Sequence, residues 1–443
     1  VRRTLFYLPE YLGPLPVFSA DGRWGVGLLL AAVLLAGGVW VLRAWRRSGW
    51  GETTRGRLGL VALAALVVLL VLPQLVEPGR GVPVRGYGVM LALALILAVA
   101  SAVHLGRDQG IHPEIILSLA VWIGVAGLVG ARLLYVIEYW DSYRRPTWTA
   151  TLAEVLKVHQ GGLVVFGGLI GAAVAFGVFA WRHRLPALAL ADVAAPALAL
   201  GQAIGRIGCF LNGCCFGGVS EIPYLAVQFP WGSPPHVRQA LQGELFLHGL
   251  KVAQVGNRVV ISQVEPGSPA QRAGLRPGWQ LVRIGEEPVR SPRQARALLL
   301  QYDGTPGRDQ LRLLVRNGGL RPVGWNIKPP LPRSLPVHPA QLYSAINGLV
   351  FFLLLWAVYP YRRRDGQVFG VLLALFPVSR FLMEWVRIDE PQQFLFGWTL
   401  SQTISAALLL AAVAYWLFLW LAPGKRSGAE DWAPVNARWM QQP

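Results

Sequence analysis

Charge is scarce in this chain. Only 14% of its 443 residues are Asp, Glu, Lys or Arg, where a soluble domain carries roughly 25%. With 54% hydrophobic residues, that shortage excludes an ordinary soluble enzyme and points to a polytopic membrane protein. Cysteine is nearly absent: Cys209, Cys214 and Cys215 are the whole complement. Three are too few for a disulfide framework, and their spacing is not a zinc pattern, so neither a metal nor another cofactor is expected. None of the seven histidines lies in an H-E-x-x-H and no G-x-S-x-G occurs, which speaks against intramembrane proteolysis. The opening residues lack the charged-then-apolar order of a cleavable leader. Acidic residues are also few, 23 against 41 basic ones, for a formal charge of +18. The basic residues sit beside apolar runs rather than in one patch, which fits loops facing anionic lipid and not nucleic acid.

Apolar runs of about 20 residues are what the chain has instead. Nine lie near 24–45, 58–76, 86–105, 114–137, 161–181, 186–205, 340–360, 367–386 and 398–421. Arg43, Arg46, Arg47, Arg55 and Arg57, then Arg182 and Arg184, then Arg362, Arg363 and Arg364, then Lys425 and Arg426 recur at every second loop. The positive-inside rule then puts the C-terminus in the cytoplasm and the N-terminus outside. Residues 1–80 read as an extension with two membrane helices, 84–235 and 335–421 as two parts of one helical core, and 422–443 as a cytoplasmic tail. Between them, 244–328 turns polar and short β-rich runs alternate with turn dipeptides. Strands are expected at 259–264, 281–284 and 311–315, a short helix ending at Gly274, and another over 293–300. The stretch Val264–Gly278 follows V-x-P-G-S-P-A-x-x-A-G-L-x-x-G, with Trp279 in place of a usual Asp, and so resembles a bacterial envelope PDZ domain. Such a domain adds a peptide strand to an exposed sheet edge; its carboxylate-binding loop is sought near Val255-Gly256-Asn257. A β-rich spacer without a ligand is the alternative. The prolines between Pro322 and Pro339 read as a stiff return to the membrane.

Several motifs lie in the helical core. Arg85-Gly86-Tyr87-Gly88 opens its first helix, and Gly130-Ala131-Arg132-Leu133-Leu134-Tyr135 follows. Then come Gln160-Gly161-Gly162, Gly167-Gly168-Leu169-Ile170-Gly171 and Gly205-Arg206-Ile207-Gly208. His338-Pro339-Ala340-Gln341-Leu342-Tyr343 and Arg380-Phe381-Leu382-Met383-Glu384 with Arg387 complete the set. Together, in this order, they resemble the prolipoprotein diacylglyceryl transferase family over roughly 84–235 and 335–421. The resemblance implies an all-α polytopic core of seven helices, with two extra N-terminal helices and an inserted α+β PDZ-like domain. It implies a multi-pass protein of the bacterial inner membrane, with the PDZ-like domain on the extracytoplasmic side.

That family moves the diacylglyceryl group of phosphatidylglycerol to the lipobox cysteine of a prolipoprotein, forming a thioether. The leaving phosphate suits guanidinium groups, and the incoming thiol must become a thiolate. The implied catalytic residues are Arg206 and Arg380 for the phosphate and Glu384 to orient Arg380. A snorkelling arginine at a helix end is the bland alternative for each arginine, although an arginine at mid-helix costs roughly 2.5–3.5 kcal/mol even on lenient scales. The implied substrate-binding residues are Tyr87, Arg132, Gly167, Gly168, Asn212, His338, Gln341, Tyr343 and Arg387. Belt anchoring competes for Tyr87 and Arg132, close helix packing for the glycines, a structural ion pair for Glu384 and Arg387, and a helix cap for His338.

Two departures stand out. Phe166 occupies a position where some family members carry histidine, which leaves His159 and His338 as the histidines near the motifs. The usual G-R-x-G-N-F-x-N-x-E reads G-R-I-G-C-F-L-N-G-C here, so Cys209 replaces Asn and Cys214 replaces Glu, while Asn212 stays. The cysteines are packing residues, a disulfide from Cys209 to Cys214 or Cys215, or, last, a catalytic thiol. Partners implied are phosphatidylglycerol, lipobox peptides, membrane lipid and a peptide or protein ligand of the PDZ-like domain. A non-enzymatic scaffold or lipid-binding receptor on the same fold is the alternative that these departures favour.

Overall fold

Apolar runs of this length leave the backbone no water to bond, so they satisfy it internally as helices. The computed structural model describes residues 4–8, 11–12, 15–16, 27–66, 68–69, 76, 81–156, 161–305, 307–327, 332–387, 397–421 and 424–440. In chain order, strands β1 (Thr4–Leu8), β2 (Tyr11–Leu12) and β3 (Leu15–Pro16) precede helices α1 (Leu28–Ser48) and α2 (Glu52–Leu66). Strand β4 (Val82–Arg85) pairs antiparallel with β1 and leads into α3 (Gly86–Arg107), α4 (Pro113–Glu138), the short α5 (Trp140–Tyr143) and α6 (Trp148–Val155), α7 (Val165–His183) and α8 (Ala187–Asn212). Among the described residues seven helices are long and apolar enough to span a membrane, so the chain is a multi-pass membrane protein. Two of the nine expected spans come out short. The apolar part of α2 is Arg57–Leu66, and part of 58–76 lies outside the described residues. The span expected at 367–386 is a helix of 17 residues, Gln367–Met383.

The chain forms two compact units. One comprises 4–205, 345–380 and 404–443, and the other 206–344 and 381–403 with 1–3. The larger unit is built around Phe179, Leu190, Ile115 and Leu355, all fully buried. Helices α12 (Ala340–Val358), α13 (Gln367–Met383) and α14 (Leu400–Leu421) supply its later segments. Its main polar anchor is Asp192, in the apolar run of α8 and completely buried. Its carboxylate accepts from the backbone N–H of Gly366 (2.8 Å) and Phe369 (2.9 Å), capping the start of α13, and pairs with Arg362 at 3.5 Å. Arg362 lies over the Tyr359 ring, 4.0 Å from its centroid, and donates to the Tyr359 carbonyl. The segment expected as a tail, 422–443, carries α15 (Ala429–Met440), and this helix is docked rather than free. Trp432 is fully buried, and Asn436 donates to the Gly110 carbonyl (2.6 Å) and accepts from the N–H of His112 (3.2 Å). Removing one partner of a buried ion pair costs about 3–5 kcal/mol. Asp192→Ala is therefore expected to lower the unfolding midpoint in detergent far more than Asp431→Ala, whose side-chain pair with Lys425 is exposed.

The smaller unit holds helix α9 (Pro234–Gln242) and strands β5 (Leu250–Val255), β6 (Arg258–Val264), β7 (Gln280–Ile284), β8 (Glu287–Pro288), β9 (Gln310–Asn317) and β10 (Gly319–Asn326). They form an antiparallel sheet in the order β10-β9-β7-β6-β5, with β8 pairing on β7. Alternation sends Leu311, Leu313 and Val315 of β9 inward. Helices α10 (Pro269–Arg272) and α11 (Pro292–Leu299) each begin with Ser-Pro-x-Gln. Ser268 and Ser291 accept from the N–H of Gln271 and Gln294. Those glutamines accept in turn from Gly267 and Arg290, two capping boxes.

The expected strands and helices are present as β6, β7, β9, α10 and α11, and three further strands, β5, β8 and β10, are added. Gly256-Asn257 is a two-residue hairpin turn between β5 and β6, with Gly256 at φ +59. Pro322 lies in β10 opposite Leu314. It is tolerated there because β10 is an edge strand, so the proline-rich return starts later than expected.

His236 of α9 is fully buried with no partner on either ring nitrogen among the described residues. It packs on Trp231 at 4.4 Å. Burial, with the nearby His248 adding to it, lowers its pKa to about 4 from 6.5. Between those values the unfolded chain binds a proton that the folded chain does not. Stability of this unit is therefore full above pH 6.5 and falls as pH drops from 6.5 toward 4. Unfolding followed by Trp231 fluorescence across that range checks this, with His236→Phe expected to flatten the dependence.

Candidate active site

Helix α8 ends in a tight cap. Gly213, at φ +78, and Cys214 both donate their N–H to the Cys209 carbonyl, at 2.9 and 3.1 Å. This is a Schellman ending, with glycine where the left-handed conformation is needed. The chain turns again at Cys215, φ +58, which is uncommon for a non-glycine residue. Two reversals in three residues bring the three sulfurs within 4.8 Å of one another. All three thiols are half-buried and free of disulfides. Hydrogen bonds from Cys209 and Cys214, with the charges of Arg206 and Arg387, pull the Cys215 thiol well below its usual range.

Beyond the cap the chain pairs with two distant segments. The N–H of Gly217 donates to the carbonyl of His338, and the N–H of His338 to the carbonyl of Gly218, both at 2.9 Å. The N–H of Gly218 donates to the Val386 carbonyl at 2.9 Å, and Gly217 bridges to Arg387. A side chain at Gly217 would press on the His338 Cβ (2.7 Å) and the Val386 oxygen (2.8 Å). Asn212, Cys214, His338, Gln341, Glu384 and Arg387 are thereby gathered in one unit with Arg206. The Gln341 side chain is fully buried and donates to the Cys214 carbonyl at 2.6 Å. The His338 ring meets the Tyr343 hydroxyl at 3.2 Å. Asn212 is bonded to the Cys214 side chain.

Glu384 and Arg387 lie beyond α13, which stops at Met383 short of the expected 386. From Glu384 to Arg387 the backbone N–H groups bond three residues back, at 3.2–3.3 Å. The helix tightens there because the following residues are drawn into pairing with Gly217 and Gly218. Glu384 is buried.

The remaining expected residues belong to the larger unit. Tyr87 is in the first turn of α3 and 40% exposed. Arg380 is on α13, half-buried. Arg132 is buried on α4, and its guanidinium clamps a loop. Nε donates to Val155 (2.8 Å), one Nη to Gly161 (2.7 Å) and Gly162 (3.0 Å), and the other to Glu154 (3.2 Å), all to carbonyls. It lines a small cavity of about 220 Å³ with Tyr135, Tyr139, Tyr143 and Glu154. Gly167 of α7 lies against the backbone of Gly130 on α4, where a Cβ would also meet the Leu134 Cβ at 2.6 Å. Gly168 would meet the Gly127 oxygen at 3.4 Å. These glycines serve close helix crossing. An apolar groove of about 780 Å³ runs between α3, α4 and α8, lined among others by Gly88, Leu95, Ile116, Leu198 and Gly201. Phe166 is on the first turn of α7. His159 and Gln160 lie outside the described residues. Sequence reasoning missed Asp192 and Arg362, whose signal was an acid within an apolar run.

The fold and the site define a multi-pass membrane protein with a guanidinium-bearing site at a helix terminus. Comparison with known proteins narrows this. Residues 73–418 match the family model described as prolipoprotein diacylglyceryl transferase. A phosphatidylglycerol--prolipoprotein diacylglyceryl transferase of Rhodopirellula baltica is 33% identical over 95% of this chain and 89% of its own length. Proteins of the same name from Synechococcus elongatus (38% identical) and Lactiplantibacillus plantarum (36%) match 38% and 32% of this chain. The chain covers 56% and 49% of those two proteins. The chain belongs to the prolipoprotein diacylglyceryl transferase family.

Overpacking a close contact costs about 1–3 kcal/mol. Gly167→Val is expected to destabilise the protein in detergent by that order and so lower its unfolding midpoint, while Gly177→Val, at a position that faces open space, leaves the midpoint nearly unchanged.

Proposed function

We infer that this chain transfers the diacylglyceryl group of phosphatidylglycerol to the lipobox cysteine thiol of prolipoproteins, forming a thioether and releasing glycerol phosphate. The observation that carries this is the family match over 73–418, joined by a relative of that name aligned along 95% of the chain. The scaffold alternative rested on Phe166, Cys209 and Cys214; no curated relative described above bears a non-enzymatic name.

Roles for the residues follow from the chemistry. Arg206 and Arg380 hold and neutralise the phosphate as it leaves, since guanidinium suits a phosphate bidentately. Arg387, whose charge is felt at Cys215, joins them. Glu384, buried beside the turn that positions Arg387, orients these cations. Gln341, His338 and Tyr343, in the same unit as Arg206, contact the substrates, and Asn212 steadies the cysteine turn. Tyr87 contacts the headgroup or glyceryl oxygens at the opening of α3. The groove between α3, α4 and α8 receives an acyl chain, because its lining is apolar and lies between membrane helices. Arg132, Gly167 and Gly168 support the substrate site by holding the 154–162 loop and the α4–α7 crossing in place.

The 244–328 region is a PDZ-like insertion on the extracytoplasmic side of the inner membrane. Support comes from the V-E-P-G-S-P-A-Q-R-A-G-L stretch, the antiparallel sheet with two short helices, and the alternation of basic loops. Its outer strand β5 is met by Arg296 of α11, which donates to the Val252 carbonyl at 2.8 Å and to Leu241 at 2.9 Å. A peptide adding to that edge has to displace this side chain.

Complementation of a transferase-depleted cell tests the assignment. The wild-type chain is expected to attach diacylglyceryl to a lipobox reporter. Arg206→Ala or Arg380→Ala is expected to reduce that by roughly 100-fold or more, the usual effect of losing one charge-stabilising group. A wild-type chain that never lipidates the reporter overturns it.

A further inference from the structure

A thiol-alkylating enzyme must make a thiolate, and no histidine stands where Phe166 does. Three sulfurs converge instead, on a backbone that is held firmly. The Schellman ending fixes Cys209 against Gly213 and Cys214, Gln341 holds the Cys214 carbonyl, and Cys215 keeps a left-handed conformation. From the convergence of Cys209, Cys214 and Cys215, we propose that they form a three-thiolate site for Zn²⁺ whose fourth position takes the lipobox thiol of the incoming prolipoprotein. The proposal rests on the transferase reading given above.

The geometry suits the ion. Zn–S bonds of about 2.3 Å set tetrahedral sulfurs about 3.8 Å apart. The three Sγ atoms already lie within 4.8 Å, so small side-chain rotations close the site. The sequence spacing did not suggest zinc because the usual short C-x-x-C pairs are absent; two chain reversals bring the sulfurs together instead. Thiolate donors select Zn²⁺ or Cu⁺ among available metals, and the reaction is not a redox one, which favours Zn²⁺. Catalytic zinc sites keep three protein ligands and one open position. Charge balances as well. Four thiolates on one Zn²⁺ carry a net charge of about −2 by formal count, and the positive charges of Arg206 and Arg387 act on Cys215.

The chemistry follows directly. On coordination the lipobox thiol loses its proton to water. Its sulfur electron pair then attacks the diacylglyceryl carbon that bears the phosphate ester oxygen of phosphatidylglycerol. The C–O bond to phosphate breaks, and glycerol phosphate leaves with that electron pair, its charge met by the guanidiniums. The neutral thioether is a weaker ligand and departs, reopening the fourth position.

The test uses the full chain in detergent, reduced and freed of loosely held metal. Zinc content is measured, and Co²⁺ is used as the spectroscopic probe, before and after adding a lipobox peptide. The wild type is expected to hold one equivalent of metal, show thiolate-to-cobalt charge transfer, and gain intensity when the peptide thiol joins. Two variants are expected to lose at least tenfold in metal content. One is Cys209→Ser/Cys214→Ser/Cys215→Ser. The other is Cys209→Asn with Cys214→Glu, which restores the family's usual residues and guards against misfolding.

A wild type without thiolate charge transfer, or one that, purified without reductant, keeps two of the three thiols shielded from maleimide until reduced, overturns the proposal in favour of empty thiols or a disulfide. Lipidation of the peptide with phosphatidylglycerol vesicles separates the two readings. Full activity after chelation sinks the zinc role and leaves the transferase reading standing. Cobalt bands that respond to peptide without any lipidation uphold the site and sink the transferase reading.

Discussion

The smaller unit depends on three main-chain hydrogen bonds around Gly217 and Gly218. They tie the end of the α8 motif to His338 on one side and to Val386 and Arg387 on the other. Backbone pairing of this kind demands that nothing project from Gly217, where any Cβ would strike His338 and Val386. It also explains why α13 ends at Met383. The residues after it cannot continue a helix and pair with Gly217 and Gly218 at once, so they tighten into turns that carry Glu384 and Arg387 to the cysteine cap. Three motifs far apart in the chain become one wall.

The larger unit solves a different problem, that of polar groups within apolar surroundings. Asp192 has no water to turn to, and a lone buried charge is costly. It is satisfied by two N–H groups at the start of α13 and by Arg362, so one carboxylate both caps a helix and holds α8 against it. Where charge is not needed the unit uses the absence of side chains, as at Gly130 and Gly167. Together these contacts fix the helices that border the apolar groove.

Much of this was legible in the chain itself. Hydropathy placed most of the long helices to within a few residues, while α8 runs on to Asn212, past the expected 205. The alternation in Leu311-Arg312-Leu313-Leu314-Val315 read as a strand and is one, and the Ser-Pro-x-Gln stretches open short helices. Misreadings have local causes. No carboxylate-binding loop could be read around Val255-Gly256-Asn257, because a two-residue hairpin leaves so little sequence behind. Pro322 argued against a strand because the exception for edge strands becomes visible only once the neighbours are known. What the sequence did not show about 422–443 is that α15 docks, because that depends on Trp432 finding a place in a core built from other helices.

The sequence by itself determined the membrane class, the succession of family motifs and the residue types present for phosphate and thiol chemistry. These are properties of composition, period and order, which survive without coordinates. Only the tertiary structure decided which of those residues meet. Arg132 is committed to four backbone carbonyls, Gly167 to a helix crossing, and Cys209, Cys214 and Cys215 to a common point. The reason is that these partnerships run through carbonyls, N–H groups and chain reversals, and the main chain is the same at every residue, so no side-chain pattern announces where it will pair.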